Sequence, residues 1–324
     1  MSRILLESQR EEELRTRGYT VVRLLDPAEP PRLLEALTDA LPRGFTAVEQ
    51  PGKRFEFHAS FLDSNLDYRR RSHERICELF QPRLNEILVD YEILIAGLFV
   101  KQPGTGAVPL HFDWSMIEAP DDIGLNVWCP LVDVDAGNGA LHLVEGSQRL
   151  LRHIGAPHTP IYCSGYDAAV MERSTMVPLE AGEALIYDNT ILHWSPVNRS
   201  SQPRPVIAMN CIPRRARPVF YRLDSAAAGS RFEMFDMSDG GFFEHMPGDF
   251  FAGAINRPSL GYIDNPNQQL SVDEFVRRLE ARRSGAPPGP RAAPGPATTV
   301  RHMLGSFVSR QATRGAVSPR RCRD

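Results

Sequence analysis

The sequence predicts an α+β, mainly β fold in which helices come first and an antiparallel β-sandwich follows. Two observations carry this. Up to about residue 90 the chain favours helix, with apolar residues recurring at helical spacing. From about residue 92, strand-like runs of five to nine residues follow one another, bounded by Gly, Pro, Asn and Asp. No helical pattern alternates with those runs, so a parallel α/β sheet is not expected. The architecture includes jelly rolls and cupins, which hold small ligands in their mouths.

The elements follow in order. Residues 7–17 are charged and helix-favouring, and "GYTVVRLLD" reads as a Gly turn, a short strand and a stop. "DPAEPPRLLEALTDALP" has an acidic start, Pro near its N-terminus, and Leu33, Leu34, Leu37 and Leu41 on one helical face. "SHERICELFQPRLNEILVDYEILIAGLFV" reads as a helix passing into a strand, with Pro82 breaking or kinking the helix. The β-rich runs are "EILIAGLFVKQ", "GTGAVPLHFDW", "DIGLNVWCPLVDVD", "AGNGALHLVEG", "MVPLEAGEALIYDN", "TILHWSPVN" and "RPVIAMNCIP". "GNG" at 137–139 is a hairpin candidate. After residue 213, "RFEMFDMSDGGFFEHMPGDFFAGAI" reads as aromatic-rich loops. A cap over a pocket, core packing and a dimer contact all stay open for it. "SVDEFVRRLEARR", 271–283, is a short capped helix. The expected organisation is one domain over 1–283, with a β core at about 92–215 and a return or lid segment at about 216–270. Beyond it, residues 284–324 form a basic tail rich in Pro, Gly and Ala, expected to be disordered.

The 324 residues are 42% apolar and 24% charged, enough for a sizeable core. Residues 284–324 hold seven Arg and one Asp, a net of +6; the whole chain is −3, so residues 1–283 carry −9. An acidic body excludes a nucleic-acid binder as the working reading. No stretch approaches the ~20 uninterrupted apolar residues of a membrane helix, and "MSRILLESQREEELRTRG" turns charged too early for a secretory signal. Cytoplasmic is the default expectation. Five scattered cysteines without a Cys-x-x-Cys suit a reducing compartment and no structural zinc.

The chemistry concentrates in "VPLHFDWSMIE", residues 108–118. On a strand, residues i and i+2 share a face, so His111 and Asp113 lie side by side with Phe112 turned away. Either they satisfy each other in a core or they bind something. A second histidine, His193, stands in "LIYDNTILHWSPVNRSSQPRPV", with Arg204 eleven residues further on. A His and a carboxylate on one strand with a His from a neighbour is how a sheet builds a facial triad, leaving open positions on a non-haem Fe(II). Arg204, across a strand turn, has a rigid fork suited to a carboxylate. In a chain with 35 Arg and two Lys, an Arg at a given offset is cheap, and a strand His is more often a core or surface group.

Residues 93–212 resemble the phytanoyl-CoA dioxygenase family of Fe(II)- and 2-oxoglutarate-dependent oxygenases. The matching stretches are "FVKQPGTGAVPLHFDW", "LNVWCPLVDVDAGNGALHLVEGS" and "VPLEAGEALIYDNTILHWSPVNRSSQPRPV". "RTRGYTVVRLLDPAEPPRLLEAL" is similar to the family's opening, so the resemblance spans about residues 10–215. It implies a double-stranded β-helix (jelly roll, cupin-like) with N-terminal helices packed on the sheet. It also implies that His111, Asp113 and His193 ligate iron. By the same resemblance Arg204, with Ser195, holds the distal carboxylate of 2-oxoglutarate. Trp128 lines the cosubstrate pocket and Asn126 shares its face. Lys101 either faces that pocket or stands exposed at a strand end.

The family's Pro-Gly-Ser-His turn is here "EGSQ", residues 145–148, where Gln148 can still hydrogen-bond the turn. His142, His153 and His158 are alternative ligands, read as structural or exposed. The implied reaction consumes Fe(II)-bound 2-oxoglutarate and O₂, releases succinate and CO₂, and hydroxylates a small molecule. Asp113 argues against the related halogenases, which lack the carboxylate. Desaturation, epoxidation and cyclisation remain alternatives, as do a cupin-like metal-dependent isomerase or hydrolase and a non-catalytic binding module. The partner expected is a small-molecule substrate, with no nucleic acid and no membrane; a homodimer stays open.

Overall fold

In the computed structural model the described residues are 2–39, 48–50, 53–118, 122–151, 153–224, 230–242 and 255–284. Helix α1 (Ser8–Arg17) ends at Gly18, whose φ of +92° suits a residue without a side chain. Strand β1 (Tyr19–Arg23) and helix α2 (Glu29–Asp39) follow, then short strands β2 (Val48–Gln50), β3 (Lys53–Phe55) and β4 (His58–Ala59). Helix α3 (Leu66–Asn85) opens on Asn65, whose side-chain oxygen accepts from the Tyr68 N–H. It runs on through Pro82, so of the expected break or kink the break is corrected. Pro82 lies within the last turn, where only one intrahelical bond is lost and packing against β5 (Tyr91–Lys101) compensates.

The remaining strands are β6 (Val108–His111), β7 (Leu125–Pro130), β8 (Leu141–Leu143), β9 (Thr175–Val177), β10 (Glu183–Asp188), β11 (His193–Ser195), β12 (Arg204–Pro213), β13 (Val219–Asp224), β14 (Arg231–Asp236) and β15 (Ser259–Asp264). Short helix α4 (Asp167–Met171) precedes β9, and α5 (Val272–Arg283), capped by Ser271, closes the described chain. Two antiparallel sheets form the sandwich, one ordered β1-β10-β7-β12-β5-β4 and the other β6-β11-β8-β9. This is the jelly-roll arrangement the sequence predicts.

The large sheet is buried on both faces. On β7, Leu125, Val127 and Cys129 join the core formed with Leu14 of α1, Leu33 and Leu37 of α2, and Ile76, Phe80 and Leu84 of α3. Trp128, on the opposite face, packs with Leu185, Val206 and Ala208 against Leu141, Leu143 and Val177 of the small sheet. Each fully buried Leu or Ile contributes about 1.5–3 kcal/mol. The N-terminal helices therefore cover the outer face, and the inner face is left to the site.

Two further expectations change. "GNG" is a turn, but β7 and β8 do not pair; it carries the chain from the large sheet to the small one. The aromatic stretch begins as a strand rather than a loop. β13, β14 and β15 make a third antiparallel sheet whose Val219, Tyr221, Phe232 and Met234 form a core with Ile154 and Ala156. Among the described residues Cys129, Cys163 and Cys211 are free and buried. Leu41, residues 243–254 and the tail beyond 284 lie outside the described residues. Among those residues no helix is long and apolar enough to cross a membrane.

Candidate metal centre

The register of one short ladder builds the site. β11 pairs antiparallel with β6, and His193 is the direct partner of His111. Directly opposed residues project to the same face, and the two imidazole centroids stand 4.2 Å apart. His111 is the last residue of β6, so Asp113 lies just beyond the strand, and its N–H donates to the carbonyl of Asn189 at 2.9 Å. Phe112 turns away into the cluster with Tyr162 and Phe275. Asp113 Oδ1 sits 3.9 Å from His111 Nε2 and 3.9 Å from His193 Nε2.

The three side chains fit a divalent cation. His111 Nδ1 donates to the Pro109 carbonyl at 2.8 Å and His193 Nδ1 to the Ile191 carbonyl at 3.0 Å. A carbonyl only accepts, so the proton is on Nδ1 and the Nε2 of each ring carries the lone pair that a metal would take. One ligand atom from each residue lies within 4.8 Å of the others. Two imidazoles and one carboxylate leave coordination positions for exogenous ligands. Burial pushes the Asp113 carboxyl up, offset in part by His193 and by the Asn126 amide that donates to Oδ2. A cation in the site would reverse that balance.

An anion-seeking corner adjoins the triad. Ser195, two residues past His193, accepts from Lys101 Nζ at 2.7 Å, and Lys101 also donates to the Pro196 carbonyl at 2.8 Å. Lys101 and Arg204 are direct partners on β5 and β12, and are 3% and 4% exposed. Lys101 is thus no exposed strand-end residue. Arg204 Nε and Nη1 have no hydrogen-bond partner among the described residues, and the guanidinium lies 5.0 Å from the Trp128 ring centroid. Burial brings Arg204 down to about 9, and burial with the neighbouring Arg204 charge brings Lys101 down to about 6. A buried guanidinium with two unmet N–H groups, beside a lysine whose ammonium form its burial disfavours, fits a carboxylate ligand. Between this corner and Asn126, Gly97 lies opposite Ala208, and its missing side chain admits the Phe61 ring, which would stand 3.1 Å from a Cβ there.

Asn126 is drawn to Asp113 rather than to the cationic corner. The alternative histidines do not join the cluster. His142 stacks on Trp194 at 4.1 Å, His153 bonds the Pro160 carbonyl, and His158 is exposed with φ of +64°. Gln148 bonds carbonyls of α1 rather than its own turn. Three residues near the centre escaped the sequence reading: Tyr187, its ring 5.0 Å from that of His193, and Asn189 and Asn210 beside Asp113 and Asn126. Their signal was a polar group inside an apolar strand run, as in "IAMNCIP" and "ALIYDN".

A jelly-roll sandwich with a two-His, one-carboxylate face at the end of its sheets defines a class, the non-haem iron oxygenase type. The phytanoyl-CoA dioxygenase (PhyH) family model matches residues 14–206, and the chain belongs to that family. It is an Fe(II)- and 2-oxoglutarate-dependent enzyme using O₂.

Among solved structures the chain is similar to the non-heme alpha ketoglutarate dependent carbocyclase SnoK from nogalamycin biosynthesis. That match has TM-score 0.48 and 17% identity, covering 66% of this chain and 86% of that one. It is also similar to EvdO2 from Micromonospora carbonacea var. aurantiaca complexed with 2-oxoglutarate (TM-score 0.42, 19% identity, 66% and 92% covered). A third is HygX from Streptomyces hygroscopicus with nickel, 2-oxoglutarate and hygromycin B bound (TM-score 0.45, 14% identity, 65% and 88% covered).

Proposed function

We propose that this chain, as one domain over residues 1–283, hydroxylates an unactivated C–H bond of a small-molecule metabolite. The observation that carries the reading is the buried Arg204–Lys101 pair on the large sheet, without an acidic partner among the described residues and joined through Ser195 to the strand that carries His193 of the two-His, one-carboxylate cluster. When bound, Fe(II) with 2-oxoglutarate and O₂ supplies the oxidation that turns C–H into C–OH while the cosubstrate leaves as succinate and CO₂.

The chain's own residues set the stage for it. His111, Asp113 and His193 hold the cation. Arg204, over the Trp128 face, neutralises the far carboxylate of the cosubstrate, with Lys101 and the Ser195 hydroxyl completing the contact. Trp128, its ring beside the Arg204 guanidinium, gives that ligand an apolar wall that keeps water from it. Phe99, Trp114 and Phe220 belong to one apolar cluster, in which Trp114 is next to Asp113 in sequence, so a substrate with an apolar face suits this side of the site.

The test is anaerobic addition of Fe(II) and then 2-oxoglutarate, followed in the visible range, with succinate assayed after air is admitted. A chelate absorbance that needs both additions, and succinate formed only with iron, is the expected result. Iron binding with no effect of 2-oxoglutarate would favour a cupin-like isomerase or hydrolase, which keeps the triad and drops the cosubstrate.

A further inference from the structure

Asp113 is gripped at both ends by asparagines. Its backbone N–H donates to the Asn189 carbonyl at 2.9 Å, and its Oδ2 accepts from Asn126 Nδ2 at 3.2 Å. The direction of the Asn126 amide follows from its partner, because an ionised carboxylate oxygen only accepts. The other oxygen, Oδ1, is the one facing both imidazoles, 3.9 Å from each Nε2. One oxygen is tied back and the other is presented.

Asn126 is itself fixed. It lies on β7 between Tyr187 of β10 and Asn210 of β12, and is 6% exposed. Its own Oδ1 has no hydrogen-bond partner among the described residues. Leaving a buried amide oxygen unmet costs about 1–3 kcal/mol, so packing does not explain an asparagine here. An apolar side chain of that size would fill the position without the penalty. What Asn126 alone provides is the N–H on Asp113.

We propose that Asn126 is a positioning residue that holds Asp113 to one-oxygen ligation of a divalent cation, keeping the remaining coordination positions open for cosubstrate. This rests on reading His111, Asp113 and His193 as the metal centre. It moves Asn126 from a direct cosubstrate contact to a group acting through Asp113.

The experiment uses full-length protein stripped of metal, titrated anaerobically with Fe(II) by calorimetry and with Co(II) as a visible-band probe. Asn126→Leu removes the donor at similar volume, and Asn126→Asp keeps the shape but replaces the donor with an acceptor. Both variants are expected to weaken Fe(II) roughly 10–100-fold, the usual range for losing an outer partner of a ligand. Both should also alter the Co(II) band. At saturating metal, 2-oxoglutarate affinity should shift by less than about threefold, since its contacts lie elsewhere.

Wild-type Fe(II) affinity with an unchanged Co(II) band in either folded variant overturns the proposal. So does intact metal binding with a loss of 2-oxoglutarate affinity, which makes Asn126 a cosubstrate contact. If the wild-type protein binds neither cation, the metal-centre reading falls first, a failure visible before any variant is made. Should Asn126→Leu not fold, Asn126→Asp carries the same comparison.

Discussion

Lys101 and Arg204 face each other across the β5–β12 ladder, two buried basic side chains with no acidic partner among the described residues. Proteins seldom bury one unpaired cation; beside Arg204 the Lys101 ammonium is disfavoured until an anion joins the pair. The pair is therefore the best guide to what the site takes, and it has consequences for pH.

Lys101 falls to about 6 in the folded chain, below its ordinary value of 10.5. Between those two pH values the unfolded chain holds the proton and the folded chain does not. Stability without ligand therefore rises with pH through that window, and the penalty is fully present below about 6. A carboxylate bound beside Lys101 restores the charged form, so binding takes up close to one proton at pH 7–8, on the order of the full linkage for one group. Calorimetry of 2-oxoglutarate binding in buffers of different ionisation enthalpy measures that uptake. Zero uptake at pH 8 would mean that Lys101 does not meet the anion.

Arg204→Ala should weaken 2-oxoglutarate by roughly 100-fold or more, because it removes a buried charge-assisted pair of hydrogen bonds. Lys101→Met should cost about tenfold, the loss of one donor. Iron affinity should stay within about threefold in both, since neither side chain is a ligand. Arg204→Lys is not expected to rescue, because a point charge cannot reproduce the fork. Unchanged cosubstrate affinity in Arg204→Ala would remove the main support for the oxygenase reading.

Much of this site was legible because its parts are local. His111 and Asp113 are two residues apart, Ser195 is two from His193, and turn chemistry marked where each strand stops. What was not legible depended on pairing between distant strands. Nothing in "FVKQPG" distinguishes a buried Lys101 from an exposed one until β5 is set against β12 and Nζ meets Ser195. "GNG" announced a turn but could not say that its flanking strands belong to different sheets. In "RFEMFD" the alternation that buries Phe232 and Met234 was masked by the Gly, Asp and Phe that follow. Even the side-by-side placement of His111 and Asp113 has another cause than strand alternation. Asp113 leaves the strand and is recaptured by Asn189 and Asn126.

The triad should behave as a metal site in stability as well as binding. A cation that binds only the folded chain at a hundred times its Kd stabilises it by about 2.7 kcal/mol. In a domain of this size that is a Tm rise of roughly 5 °C or more. The rise should appear on adding Fe(II) or Co(II) anaerobically, vanish with chelator, and be absent in His193→Ala, which removes a ligand that is 3% exposed. An equal rise in His193→Ala would show that the stabilising ion sits elsewhere.

The "EGSQ" turn allows fold and site to be separated by two adjacent residues. Gln148 is 2% exposed, and its Nε2 donates to the Arg15 and Thr16 carbonyls at 3.1 and 3.2 Å. These are among the last carbonyls of α1, which have no partner within the helix. Gln148→Ala should therefore cost about 1–3 kcal/mol of stability, seen as a lower urea midpoint at unchanged slope. Iron affinity should be untouched. Ser147 instead accepts from the Leu192 N–H at 2.9 Å, holding the backbone one residue before His193. Ser147→Ala frees that backbone, so it should weaken iron about tenfold on top of any stability loss. Metal binding impaired equally by both substitutions would mean that the turn acts as a single unit and that α1, through Gln148, helps to set the position of His193.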